Sequence, residues 1–231
     1  MKLLVIRPQP GADATVARVR AAGHEAFLMP LFEVQPVAWD VPSSETYDAL
    51  LLTSGNAVRA AGEGLDIVSE LPVFAVGSAT ARSATDCHLT IKATGETGVA
   101  DLLGLAQAAG HRRLLWLAGE DRISVSVPDE MTLDVRIVYR SSAISAQKDF
   151  ADQVYAANII LLHSPRAAHH FGELCDAQAV DRAGLTLAAL SPTIAKSAGS
   201  GWRTIITAPA PNDASLLSQL QSCFTNNDCD P

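Results

Sequence analysis

The residues best suited to chemistry in this 231-residue chain stand in four short turns. Each turn follows an apolar run and precedes a stretch of small residues: Thr53-Ser54-Gly55-Asn56, Gly77-Ser78-Ala79-Thr80, Ser164-Pro165-Arg166 and Ser191-Pro192-Thr193. A hydroxyl or amide at such a place caps the helix by accepting a backbone N–H. Alternatively, it joins the unpaired N–H groups and the positive dipole end in binding an anion. Thr53, Ser54, Asn56, Gly77, Ser78, Thr80, Ser164 and Thr193 are the candidates, and both roles can coexist at one turn. Arg7, Arg59, Arg82, Arg140, Arg166 and Lys196 lie near the same turns. A guanidinium takes a carboxylate through two parallel hydrogen bonds. Roughly two of these cations are expected to touch a ligand, the rest being solvated. Arg7, directly after the first strand, is the best placed.

Other chemistries lack their residues. Neither GxGxxG nor GxxxxGK[ST] occurs, so no nucleotide loop is present. HExxH is absent, and the adjacent His169 and His170 would face about 100° apart on a helix, poorly placed to share a metal. No metal and no cofactor is expected. Cys87, Cys175, Cys223 and Cys229 are scattered without a CxxC pair and read as free thiols in a reducing compartment. A net charge of -8 argues against nucleic acid as a partner. The longest apolar runs are too short to cross a bilayer. The opening MKLLVIRPQPG meets Arg7 and Pro8 after a brief apolar run, and it reads as a first strand and not a signal peptide. The expected location is the cytoplasm.

The elements that position the turns occur twice. LLLTSGNAVRAAGE at 50–63 matches ILLHSPRAAHHFGE at 160–173, and VFAVGSATARSA at 73–84 matches LAALSPTIAKSA at 187–198. ATGETGVADLL at 93–103 then matches TAPAPNDASLL at 207–217. The starting positions differ by 110, 114 and 114 residues, so the chain carries two similar units. Each block reads as strand, turn, helix. Ser78 and Asp213 are the expected helix caps, and Pro165 and Pro192 suit a first helical turn. Alternating strands and helices imply parallel sheets covered on both faces, and the strands are apolar throughout, as that burial requires.

A strand over 2–6, a helix over 12–22 and a strand over 25–29 open the chain. Extended segments at 33–37 and 133–144 read as connectors out of one unit and back. The fold class is therefore α/β, with two similar parallel-sheet domains of the flavodoxin-like kind and the second inserted in the first. The expected bounds are 1–33 with 147–231 for the first domain and 41–134 for the second. Residues 34–40 and 135–146 are expected to form a two-stranded linker. Ligands of such sheets bind beyond the carboxyl ends of the strands, where the Ser-bearing turns stand.

On these residues the chain resembles the uroporphyrinogen-III synthase family. The resemblance rests on VIRP at 5–8, PLFEV at 30–34, YDALLLTSGNAV at 47–58, VFAVGSATA at 73–81, VYR at 138–140, HSPRAAHHF at 163–171 and LSPTIA at 190–195, in that order. It extends from Lys2 to about Leu220. The chain departs from the family in three places. Gly55 stands where Pro commonly follows the first Ser, and Ser191-Pro192-Thr193-Ile194-Ala195 replaces the usual GPTTA. RISVSVPDEM at 122–131 replaces an amphipathic helix, with Pro128 and alternating Ser and Val opposing helix formation.

The resemblance implies a monomeric, cofactor-free lyase with its site in a cleft between the two domains. Its substrate would be hydroxymethylbilane, an open tetrapyrrole bearing eight carboxylates, and its product uroporphyrinogen III, with the last ring inverted. Loss of the terminal hydroxyl needs a proton at the leaving oxygen. The resemblance points to Tyr139 for that proton, because a tyrosine at the VY position borders the family's cleft; a phenol, with a solution pKa of about 10, stays protonated and can donate. A Tyr half-buried in the linker with its hydroxyl in water is the other reading. Arg7, Thr53, Ser54, Asn56, Gly77, Ser78, Thr80, Ser164 and Thr193 are then the expected carboxylate-binding groups. Trp116 and Phe171 read as core. The competing reading is a non-catalytic, two-domain cytosolic small-molecule binding protein.

Overall fold

Runs of four consecutive apolar residues, each buried on both faces, set the framework of this computed structural model. It describes residues 1–225, so Cys229 lies outside the described residues. Two compact units form, residues 1–33 with residue 142 onward, and residues 34–141. In chain order β1 (Lys2–Val5), α1 (Gly11–Ala21) and β2 (Glu25–Leu28) open the first unit. After β3 (Phe32–Pro36) come β4 (Ala49–Leu52), α2 (Gly55–Ala60), α3 (Gly64–Ile67), β5 (Val73–Val76) and α4 (Gly77–Asp86). The second unit closes with β6 (Ile91–Gly95), α5 (Val99–Ala108), β7 (Arg113–Gly119) and β8 (Thr132–Ala143). The first then resumes with α6 (Phe150–Ala156), β9 (Ile159–Leu162), α7 (Pro165–Ala177), β10 (Thr186–Ala189), α8 (Pro192–Ser197), β11 (Thr204–Thr207) and α9 (Asp213–Thr225).

The first unit's sheet runs β11-β10-β9-β1-β2, with every pair parallel. Counted within that unit, the strand order is 2-1-3-4-5. The second sheet runs β3-β8-β7-β4-β5-β6, parallel from β8 to β6. Its strands from β4 onward have the order 3-2-1-4-5. Both are doubly wound orders. Set side by side, β11-β10-β9-β1-β2 corresponds to β6-β5-β4-β7-β8, and the sequence repeats fall on the first three strands of each. The units thus share one spatial arrangement but begin it at different strands, because the chain leaves the first unit after β2.

Alternation along each strand sends neighbours to opposite faces. In the first unit Leu4, Ile6, Ile160, Leu162 and Leu187 pack with Phe150, Val154, Phe171 and Ile194 from α6, α7 and α8. Leu3, Val5, Ile159, Leu161 and Ala188 face the other way onto Ala12 and Val19 of α1 and Leu216, Leu217 and Leu220 of α9. The second sheet puts Leu50, Leu52, Leu115 and Leu117 against α2, α3 and α4, and Leu51, Phe74, Leu114 and Trp116 against α5. That second face is completed by Met131 and by the partly buried Val125 and Val127. In the matching place of the first unit stands α1. Pro128 and the Ser/Val alternation thus yield an irregular strap over residues 122–131, which covers the sheet without a helix.

The caps separate into two kinds. Ser54, Ser164 and Ser191 each accept a backbone N–H, from Asn56 at 3.2 Å, Ala167 at 3.2 Å and Ile194 at 3.4 Å, and Pro165 and Pro192 take the first turns of α7 and α8. Ser78 does not cap α4. Gly77, at φ +74°, turns the chain directly from β5 into the helix, so Val76 is the capping position and Ser78 lies exposed within the first turn. Asp213 does not cap α9 either; Asn212 accepts the Ser215 N–H at 2.9 Å, and the Asp213 carboxylate is engaged elsewhere.

Phe171 is core, as its apolar surroundings require. It is fully buried and stacks on Trp202 at 5.6 Å between ring centroids. Cys87, Cys175 and Cys223 are free, and burial pushes the Cys175 thiol pKa up to about 12. Phe171→Ala is expected to lower unfolding stability by about 3–5 kcal/mol, through lost transfer energy and a residual cavity. Denaturant titration followed by circular dichroism measures this.

Candidate active site

In a doubly wound sheet the crevice lies beyond the strand C-termini, where the strand order reverses. In the first unit that point lies between β1 and β9, and in the second between β4 and β7. Chemistry-bearing side chains gather at both.

In the second unit a pocket of about 280 Å³ opens at this edge, lined by Thr53, Gly98, Trp116, Gly119, Arg122 and Tyr139 among others. Thr53 follows β4, and its Oγ1 accepts the Trp116 indole N–H at 3.3 Å. Trp116 is only 4% exposed, yet its edge lines the pocket, so it is both core and wall. Tyr139 reaches the pocket through a bulge. The β7–β8 register runs from Ala118↔Ile137 to Gly119↔Tyr139, skipping Val138. A bulge of this kind re-aims a side chain. The ring then lies over Gly119, where a Cβ would meet the Tyr139 Cζ at 2.6 Å. Glycine is needed at 119 for that close approach. Among the described residues the Tyr139 hydroxyl has no hydrogen-bond partner.

The rest of the first turn is committed within the protein. Ser54 caps α2, and Asn56 Oδ1 accepts from Arg59 Nη2 at 2.6 Å. Arg59 Nη1 also donates to Ser83 Oγ at 3.4 Å. A Cβ at Gly55 would lie 2.7 Å from Ser83 Oγ and 3.2 Å from Arg59 Nη1, which explains the glycine there. Burial lowers the Arg59 pKa, and the nearby Cys87 and Tyr139 partly offset that. Gly77, Ser78 and Thr80 do not line this pocket; Thr80 is on the buried face of α4.

In the first unit the sequence pointed to Arg7, and the structure surrounds it with residues the sequence did not single out for chemistry. Arg7 Nη1 donates to Thr15 Oγ1 at 3.3 Å, and Thr15 Oγ1 donates to Asp213 Oδ2 at 2.8 Å. Arg18 Nη1 also reaches Asp213 Oδ2, at 2.8 Å. His163, following β9, lies with Nε2 2.9 Å from Asp213 Oδ1. A carboxylate only accepts, so Nε2 carries the proton. His163 and Asp213 are 4% and 6% exposed at their side chains. Burial alone would push the Asp213 carboxyl pKa up, but hydrogen bonds from His163, Thr15 and Arg18 hold it well below the usual range. Ser164 is spent on its cap, and Thr193 is exposed at the start of α8. The only sequence signal for this hub was a His just after β9 and an Asp at the start of α9.

Among the described residues, no three His, Cys, Asp or Glu side chains are placed to hold a metal. His170 instead donates toward the Ile144 carbonyl at 3.0 Å, and His169 is exposed. No described helix is long and apolar enough to cross a membrane.

Comparison with known proteins follows the same lines. A family model described as uroporphyrinogen-III synthase HemD matches residues 13–218. The crystal structure of uroporphyrinogen-III synthetase from Helicobacter pylori 26695 aligns with a TM-score of 0.66 at 16% identity, covering 96% of this chain and 99% of that one. A mutant uroporphyrinogen III synthase from the extremely thermophilic bacterium Thermus thermophilus aligns with a TM-score of 0.55 at 14% identity, covering 99% of each chain. At these identities the likeness shows a shared fold. A search of curated proteins gives no match.

The Asp213 hub sets an expected acid response. A carboxyl with a depressed folded pKa stabilises the fold above its unfolded pKa of about 3.9, and that stability is lost as pH falls toward the folded value. The denaturant midpoint of the wild type is therefore expected to fall steadily below about pH 4. Asp213→Asn should lower the midpoint at neutral pH and flatten the acid limb. Equal acid limbs in the two proteins would show that the hub does not carry this charge-linked stability.

Proposed function

The chain belongs to the uroporphyrinogen-III synthase family, and from that we propose how its own residues perform the family reaction. The reaction closes hydroxymethylbilane to uroporphyrinogen III with inversion of the last pyrrole ring and loss of water. We read its two units as flavodoxin-like domains, one of them in the alternative 3-2-1-4-5 order, with the second inserted in the first. Hydrogen bonds from Val37 N to Val138 O and from Ile144 N to Leu31 O support a two-stranded linker over 34–40 and 135–146. A cytoplasmic monomer fits the free thiols and the anionic surface.

The observation that carries the mechanism is the Tyr139 hydroxyl, unbonded within the described protein and facing a pocket the size of one substituted pyrrole. In this reading the ring bearing the hydroxymethyl group sits there. Tyr139 gives its proton to the leaving oxygen as the C–O bond breaks, and water departs with the bonding electrons. The pyrrole nitrogen supplies electrons from behind, leaving an azafulvene cation. The substituted carbon of the last ring then attacks, giving a spiro centre. Its old bond to the neighbouring bridging carbon breaks and leaves a second azafulvene cation on the third ring. The unsubstituted carbon of the last ring attacks that bridging carbon and closes the macrocycle with the ring inverted. The proton this carbon loses as aromaticity returns restores the phenol. No protein nucleophile is required. Holding the chain so that the substituted carbon meets the cation first is the larger task. Arg7 anchors a carboxylate in the first unit. In the second unit Thr53 serves from the pocket wall, and Gly77 and Asn56, outside that wall, serve carboxylates that extend beyond the pocket. Ser54, Ser164 and Thr193 contribute through the turns they shape, and Ser78 and Thr80 stand at the edge of this set.

Product analysis tests the activity. Hydroxymethylbilane generated in situ closes by itself to isomer I, so enrichment of isomer III on addition of the protein is the expected result. Tyr139→Phe is expected to reduce kcat about 10²-fold while leaving isomer III the main enzymatic product, since positioning survives. A Tyr139→Phe protein of unchanged kcat would remove the proton-donor role.

A further inference from the structure

We infer that Thr15 and Asp213 act as positioning residues for Arg7, holding its guanidinium ready for a substrate carboxylate; this rests on the reading of Arg7 as a substrate-binding residue. Thr15 is completely buried, on the face of α1 that packs on the sheet. Its single hydroxyl proton goes to Asp213 Oδ2 at 2.8 Å, so its lone pair faces Arg7 Nη1 at 3.3 Å. The direction of the chain is thereby fixed: Arg7 donates to Thr15, which donates to Asp213. Asp213 cannot swing away, because His163 from the end of β9 grips Oδ1 and Arg18 from α1 grips Oδ2.

The charges support the same reading. Asp213 faces two guanidinium groups, Arg7 and Arg18, and a single carboxylate leaves one positive charge unbalanced at the sheet's switch point. Arg18 has the direct ion pair, and Arg7 has only the relay. Arg7 is thus the cation with capacity left for an anion. Its guanidinium also lies flat against Gly11, where a Cβ would approach Nε, Nη2 and Cζ at 2.7–2.8 Å. A long side chain confined from both sides has little rotamer freedom left to lose when ligand arrives, which favours binding.

The test measures cyclisation kinetics and melting temperature for Arg7→Ala, Thr15→Val, Thr15→Ser, Gly11→Ala and the Arg7→Ala/Thr15→Val pair. Valine keeps the shape of Thr15 and removes the relay. Thr15→Val is expected to raise KM for hydroxymethylbilane about tenfold with kcat little changed. Thr15→Ser should return KM to the wild-type value. Gly11→Ala should copy Thr15→Val at little cost in melting temperature, because its new methyl displaces only the end of the Arg7 side chain and meets no backbone. It keeps the test decisive if Thr15→Val folds poorly. In the Arg7→Ala background Thr15→Val should add nothing. An unchanged KM in Thr15→Val and Gly11→Ala, or an additive double mutant, overturns the relay while Arg7 keeps its role. An unchanged KM in Arg7→Ala overturns the reading of Arg7 itself and the relay with it.

Discussion

Burial of both faces of each parallel sheet is the constraint from which the rest follows. Strands such as Ala49–Leu52 and Ile159–Leu162 are wholly buried and wholly apolar, so no chemistry can stand along them. Helices and the 122–131 strap cover the faces, and the polar groups of the wholly buried strands stand only where those strands end. At the C-terminal edges the helix N-termini converge with their unpaired N–H groups, and there the chain places Arg7, Thr53, His163 and Tyr139. The same pressure forces a buried charge at that edge to be fully bonded, because an unpaired carboxylate in an apolar surround is costly. Asp213 meets that condition with three donors from α1 and the end of β9.

Two units of one spatial arrangement present different edges because different segments follow their corresponding strands. Where the first unit follows its β1 with a regular helix, the second follows the corresponding β7 with the irregular strap over residues 122–131. The helix presents Thr15 and Arg18 toward a buried carboxylate. The strap and the residue before it present Asp121, Arg122 and Ile123 toward an open pocket. One edge is thereby closed around an ionic hub, while the other has room for a ring. A reaction run by positioning suits this division, since it asks for a held chain and a single proton rather than an assembled nucleophile.

Glycines mark where side chains had to come close. Gly119 admits the Tyr139 ring, Gly55 admits the Arg59–Ser83 pair and Gly11 admits the Arg7 guanidinium. In each case the neighbour is a polar or aromatic group at the functional edge, and a methyl group would displace it. The Gly55 departure from the family's usual proline finds its physical reason here.

The elements and their repeat are legible in the amino-acid order alone. Four-residue apolar runs leave no alternative to buried strands, the Ser-Pro pairs fix the starts of α7 and α8, and three matched blocks mark two units. The same order singles out Arg7, Thr53 and Tyr139, because each closely follows a strand or lies at a motif position. The rest depends on pairs far apart in the chain or on local backbone geometry. Thr15 and Asp213 are 198 residues apart, and His163 and Asp213 are 50 apart, so only folding brings the hub together. Ser78 has the look of a cap, but the positive φ of Gly77 advances the helix start past it. Trp116 reads as core because it is buried, but a pocket wall is also buried. The aim of Tyr139 depends on a one-residue bulge, and periodicity along a single strand carries no trace of how its neighbour pairs with it. Hydrophobic pattern is local and survives in sequence; register, convergence and charge pairing exist only once the chain has closed on itself.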